Sequence, residues 1–190
     1  MLFVARSRGK FSEALMRYTT ARLICAVLGF SFASGVYAQN KDGLREKLSS
    51  NDRSFIMQAT NGGMAEIELS RIAAQNGVQA DVKAFAQRLV EDHGKAGKEL
   101  EAISAKLGAA PPKPMAEQQG DMKRFAELKG EKLDQAYVER MVRDHKGTIA
   151  LFEKQAKSGD SQELKQFASK TLPVLKEHLK MVLALAEKKK

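Results

Sequence analysis

Four long stretches of the chain carry apolar residues at alternating steps of four and three, and that spacing holds one face of a helix toward a common axis. The first reads Phe55, Ala59, Gly62, Glu66, Leu69, Ala73, and the second Val82, Ala86, Leu89, His93, Ala96, Leu100, Ile103, Leu107. The third reads Val138, Met141, His145, Thr148, Phe152, Gln155, and the fourth Leu164, Phe167, Thr171, Val174, His178, Met181, Leu185. A chain written this way buries its seams by bundling four helices. The expected class is all-α.

Local signals set the ends of these helices. The first is expected from Asp52 to Gln75, with Asn51 or Asp52 as N-cap and Asn76-Gly77 as the stop. The second runs from Ala80 to Leu107 and ends at Gly108. A short helix is expected over Asp121 to Lys129, and a long one from Glu131 to Lys157, closed by Ser158-Gly159. The last starts near Ser161, where Asp160 and Glu163 have capping-box spacing, and ends at Glu187. Pro173 removes one amide from that helix and is expected to kink it.

The segment between Gly108 and Gly130 decides the topology. It contains Pro111, Pro112 and Pro114, which a helix does not accommodate. A helix of ~26 residues is ~39 Å long, and the segment can reach ~75 Å when extended. It is therefore long enough to cross the whole bundle, which gives two helical hairpins joined by a long crossover, the ferritin-like connection. Internal similarity agrees with paired hairpins. Residues 85–93 match residues 137–145, and Asp81 to Ala86 matches Glu163 to Ala168.

Before this bundle lies a different kind of sequence. Arg6, Arg8, Lys10, Arg17 and Arg22 precede an apolar run from Leu23 to Gly35, and Val36-Tyr37-Ala38 follows with small residues where a signal peptidase reads. The run is shorter than the ~20 residues that span a bilayer. Residues 1–38 are expected to be a signal peptide, 39–51 a flexible segment, 52–187 the bundle and 188–190 a basic tail. Location in the periplasm or cell envelope follows.

Removal of residues 1–38 also removes Cys25, the single cysteine, so the remaining chain has no disulfide and no thiolate ligand. That chain has 27 basic and 22 acidic residues, a net charge of +5 with its charges mixed in sign along the helices. Nucleic-acid binding would need a basic stripe, and none is present. That chain also has no apolar run that would span a membrane. No Ser-His-Asp set, phosphate-cradling glycine loop or cysteine cluster suggests a hydrolase or nucleotide enzyme.

Chemistry concentrates on the seams. All three histidines, His93, His145 and His178, occupy seam positions, and Glu66 is the carboxylate on the seam of the first helix. Gly62 and Gly63, one turn before Glu66, leave space beside it. All four polar residues fall near the middle of their helices, so they share one height in the bundle. Inward polar residues at one level are how bundles build metal sites. One transition metal ion is the implied cofactor, and imidazole with carboxylate suits iron, zinc, manganese or copper. Met141 and Met181 would add soft ligands. Asp92, Asp144 and Glu177 precede the histidines and lie ~100° around the helix from them, as flanking groups. The competing reading is a polar layer that only fixes register.

NGGMAEIELSRIA, DVKAFAQRLVEDH, YVERMVRDH and ELKQFASKTLPVLKEHL together resemble the domain-of-unknown-function 4142 family over Asp52 to Glu187. Its members are exported, ferritin-like and often labelled outer-membrane proteins. The resemblance implies the fold and compartment, and no reaction. Di-iron ferritins are matched less well, because Glu-x-x-His is absent: Val90, Val142 and Leu175 stand three residues before the histidines. No alternating strands of a barrel occur either. Two functions remain: a metal-binding bundle, or a metal-free structural or envelope-stress protein acting through an envelope partner.

Overall fold

The computed structural model describes residues 48–112 and 116–188, without the side chains of residues 116–119 and 121. The expected signal peptide, residues 39–47 and the last two lysines lie outside the described residues. Five helices and no strand occur among those described: α1 Ser50–Asn76, α2 Ala80–Lys106, α3 Ala116–Glu127, α4 Gly130–Ser158 and α5 Gln162–Glu187. No described helix is long and apolar enough to cross a membrane.

The helix ends follow their local chemistry, with some shifts from expectation. α1 begins two residues early because Ser49, not Asn51 or Asp52, is the N-cap and accepts from the Asp52 amide at 3.1 Å. α5 is likewise capped by Ser161, which accepts from the Leu164 amide, so Asp160 is not the cap. α2 ends at Lys106, one residue short of the expected Leu107, and Gly108 beyond it is the expected stop, with a φ of 70° that suits glycine. There the Gly108 amide bonds to the Ala105 carbonyl and the Ala109 amide to that of Ser104. α3 begins and ends earlier than Asp121 to Lys129, and Gly130, with φ 59°, starts α4.

Contacts run in a ring: α1 packs on α2, α2 on α5, α5 on α4 and α4 on α1, while α3 lies against α1. Lys106 at the end of α2 pairs with Glu163 at the start of α5, and Lys188 beyond α5 pairs with Asp81 at the start of α2. α2 and α5 are therefore antiparallel. The start of α4 lies at the α1–α2 turn, at the opposite end from the finish of α2. The 108–129 segment must then travel the length of the bundle, as its reach allowed.

The two hairpin turns cap one another. Asp134 of α4 accepts from the amides of Val78 and Gln79 at 3.2 and 2.8 Å, in the first hairpin's turn. Asp52 of α1 accepts from the Ser161 amide at 2.8 Å and from Gln155 Nε2 at 2.6 Å, at the second hairpin's turn. Both aspartates are buried, and these donors offset the cost of desolvating them. Gly77 is required by space: a Cβ there would come within 2.5 Å of Asp134 Oδ1 and 2.6 Å of the Ala73 carbonyl oxygen. One offset relates Asp52 to Asp134, Gly77 to Gly159 and Phe85 to Phe167. The hairpins are thus related as units, α1 to α4 and α2 to α5, in line with the second of the two sequence matches.

The core falls into two apolar clusters. One contains Leu69, Val82, Phe85, Leu89, Tyr137 and Met141, and the other Phe55, Leu100, Phe152, Leu164, Phe167 and Leu175. α5 is continuous through Pro173, but its seam differs from the expected one. Val174 is 39% exposed and Leu175 is buried in its place, and Val182, not Met181, is the fully buried residue of the next turn. The step from Thr171 to His178 divides as four and three, where three and four had been expected. Both divisions satisfy a heptad, and contact with the neighbouring helices selects between them.

Candidate metal centre

Between the two apolar clusters lies a polar layer, to which each of the four long helices contributes one residue. Glu66 comes from α1, His93 from α2, His145 from α4 and His178 from α5, with exposures of 2, 8, 0 and 1%. All four expected residues meet there. One nitrogen of each histidine lies within 4.8 Å of the others, a grouping able to hold a metal ion. The ring centroids form a near-equilateral triangle with sides of 5.6, 5.4 and 5.5 Å.

Hydrogen-bond partners fix which ring nitrogens carry protons. His145 Nδ1 is 3.0 Å from the Met141 carbonyl oxygen, which can only accept, so Nδ1 bears the hydrogen and Nε2 is a bare lone pair. His178 Nε2 is 3.0 Å from Asp92 Oδ2. Burial pushes the Asp92 carboxyl up, but its contacts with His178 and Arg88 outweigh that and leave its pKa lowered, so it is an acceptor at neutral pH. Nε2 of His178 therefore donates, and Nδ1 is bare.

Burial also keeps these rings neutral. It depresses His145, where the Glu66 charge only partly opposes it, and it takes His178 down to about 4 against the pull of Asp92. Burial pushes Glu66 up, but contact with His93, and the attraction of the imidazoles whenever they are protonated, together leave its pKa below the usual carboxylate value.

The inward nitrogens of His145 and His178 then have nothing to share. His145 Nε2 faces His178 Nδ1 at 3.4 Å with no proton to place between them. Glu66 Oε2 is 3.0 Å from His93 Nε2 and 3.9 Å from His145 Nε2, yet neither Glu66 Oε2 nor His93 Nε2 has an aligned hydrogen-bond partner. Atoms bound at 2.0–2.1 Å around a tetrahedral ion stand roughly 3.3–3.4 Å apart. The observed separations bracket that value.

The surrounding groups behave unequally. Asp92, on α2, serves His178 of α5 and not its own neighbour His93, an assignment that spacing along one helix does not contain. Asp144 pairs with Arg140 at 2.7 Å, and Glu177 is exposed on the surface. The sulfur of Met181 lies 3.6 Å from Arg88 Nη1. The Met141 carbonyl was missed by sequence reasoning. An i−4 carbonyl is within reach of any helical histidine, so sequence carries no signal that singles it out.

The lowered imidazoles make acid stability a direct readout. A histidine at about 4 in the folded state and ~6.5 unfolded adds stability that is complete above pH ~6.5 and is lost as pH falls toward 4. For His178 this amounts to roughly 3 kcal/mol. His145 acts in the same direction, Glu66 adds a further loss below its unfolded value, and Asp144, raised by burial, opposes them. Chelator-treated protein should therefore have a lower urea midpoint at pH 4.5 than at pH 7. His178→Asn should flatten that dependence, and an equally steep profile in the variant would refute the assignment.

The sequence profile of DUF4142, described as a domain of unknown function, matches residues 38–185. No curated protein matches. Two solved structures are similar in fold: a DUF305 fragment from Deinococcus radiodurans and a DUF305 protein from Streptomyces coelicolor. The first has a TM-score of 0.66 at 13% identity, covering 74% of this chain and 98% of that one. The second has a TM-score of 0.62 at 13% identity and covers 74 and 93%. At that identity the likeness establishes the helical fold alone.

Proposed function

The chain belongs to the DUF4142 family, to which no activity is attached, and we propose that this member is a metal-binding bundle holding one divalent transition ion at His93, His145, His178 and Glu66. The observation that carries the reading is the pair of bare ring nitrogens, His145 Nε2 and His178 Nδ1, facing each other at 3.4 Å beside Glu66 Oε2, which no aligned hydrogen bond engages. Lone pairs pressed together in a buried layer repel, and a cation among them turns that repulsion into coordination.

The outer contacts support the same reading. A metal-bound imidazole commonly donates its other N–H to a carboxylate or a carbonyl, which fixes the tautomer and raises the ligand's basicity. His178 does so to Asp92 and His145 to the Met141 carbonyl. Three imidazoles and a carboxylate suit zinc, iron, copper or manganese. The bundle would act outside the cytoplasm, after loss of residues 1–38, and N-terminal sequencing of exported protein should begin at Gln39.

Elemental analysis tests the metal reading most directly. Protein purified without a His-tag or chelator should contain about one equivalent of a transition metal, or take up one equivalent of Zn²⁺, Cu²⁺, Fe²⁺ or Mn²⁺ with a rise in melting temperature. Absence of uptake for all four would leave a metal-free polar layer and favour the structural, partner-binding alternative.

A further inference from the structure

A cavity of about 400 Å³ opens between α1 and α2 and reaches the polar layer from one side. Glu66 and His93 form its inner end, while His145 and His178 do not line it. Its walls are mostly apolar, from Leu100, Phe152, Phe167 and Leu175, and Pro111 and Pro112 of the crossover form one border. The space exists because small residues face it. Ala59 and Gly63 on α1 and Ala96 and Gly97 on α2 line it, and a Cβ built at either glycine meets nothing within 4 Å. The volume lies in the range of small-molecule pockets, roughly 300–1,000 Å³.

We infer that this cavity binds a small amphiphilic carboxylate, with its apolar tail against Phe152 and Phe167 and its anionic head at the Glu66–His93 edge of the metal centre. The inference rests on the metal reading. A divalent ion with three neutral imidazoles and one carboxylate keeps one positive charge, which a single monoanion neutralises. The two metal-ligating atoms without aligned hydrogen-bond partners, Glu66 Oε2 and His93 Nε2, belong to the two residues that border the cavity. Both atoms are themselves buried, so only these two side chains separate the ion from the cavity, and the head reaches it by displacing the Glu66 carboxylate. An apolar wall rewards a hydrocarbon tail and gives a small hydrated anion nothing beyond the head contact.

Cobalt substitution separates the two readings. Full-length mature protein loaded with Co²⁺ should show a change in its visible ligand-field band when octanoate is added, half-saturating at a concentration at least ~10-fold below that for acetate. The neutral 1-octanol should leave the band unmoved. Gly97→Leu and Ala59→Leu, which fill the cavity away from the ligating residues, should each retain Co²⁺ and lose the octanoate response by tenfold or more. Failure to take up Co²⁺ would overturn the metal reading and this one together. Uptake of Co²⁺ with no octanoate response, or with a response equal to that of acetate or unchanged in both variants, would overturn this one alone. So would tighter binding of octylamine to the metal-free protein than of octanoate to the loaded protein.

Discussion

Replacing His145 by alanine is expected to abolish stoichiometric metal binding. His145 is the least exposed of the four polar residues, its Nδ1 is already committed to the Met141 carbonyl, and its Nε2 faces both His178 and Glu66. Removal of a group that only orients a ligand typically costs 10–100-fold in metal affinity. Loss of the ligand itself should exceed ~100-fold, and Asp92→Ala, which frees the His178 ring, should fall in the lower range. In the wild type, zinc at a hundredfold excess over its Kd should add about 2.7 kcal/mol of stability, a melting-temperature rise of roughly 5–10 °C for a domain of this size. That rise should vanish in His145→Ala and persist in Glu153→Ala, whose carboxylate pairs with Lys176 on the surface. An unchanged zinc response in His145→Ala, measured by thermal melts with and without the metal, would place any bound ion elsewhere.

Leu89→Asp and Phe167→Asp should each destabilise the bundle by several kcal/mol, on the order of 3–5. Leu89 belongs to the apolar cluster at the Tyr137 end of the polar layer and Phe167 to the one at the Phe55 end, where it meets Phe55 and Phe152 at ring-centroid distances of 6.4 and 5.8 Å. An aspartate at either site loses its apolar contacts and buries a carboxylate with no cation within its own cluster. Lys98→Asp on the exposed side of α2 should shift stability by no more than about 0.5 kcal/mol. Urea melts followed by helical circular dichroism would measure all three, and equal midpoints would contradict the assigned core.

The sequence revealed those features that depend on a residue and its own helix. The ends at Gly108 and Gly159 were legible because glycine has a local conformational or steric reason to be there. The polar layer was legible because Glu66, His93, His145 and His178 interrupt apolar seams at one height. What depends on the neighbouring helix was not legible. Val174 and Leu175 fit the same heptad, and only packing decides that Leu175 turns inward. Asp92 reads as a companion of His93 along α2, and only the adjacency of α2 and α5 hands it to His178. Asp52 and Asp134 read as ordinary acids near helix starts, Asp52 even as an N-cap, whereas each reaches the turn of the other hairpin.

That exchange of aspartates bears on how such a chain could have arisen. A single hairpin of this type has a turn lacking a carboxylate and a carboxylate lacking a turn, at opposite ends of its length. Two copies laid antiparallel supply each other's missing part without any new residue, so a homodimer of one hairpin would already have possessed both caps. Joining the copies through the 108–129 crossover would then have freed the two halves to diverge, leaving Glu66 on α1 and His145 at a different level of its counterpart α4. The ligand set is asymmetric, as a fused pair permits, while the caps keep the dyad that relates the two hairpins.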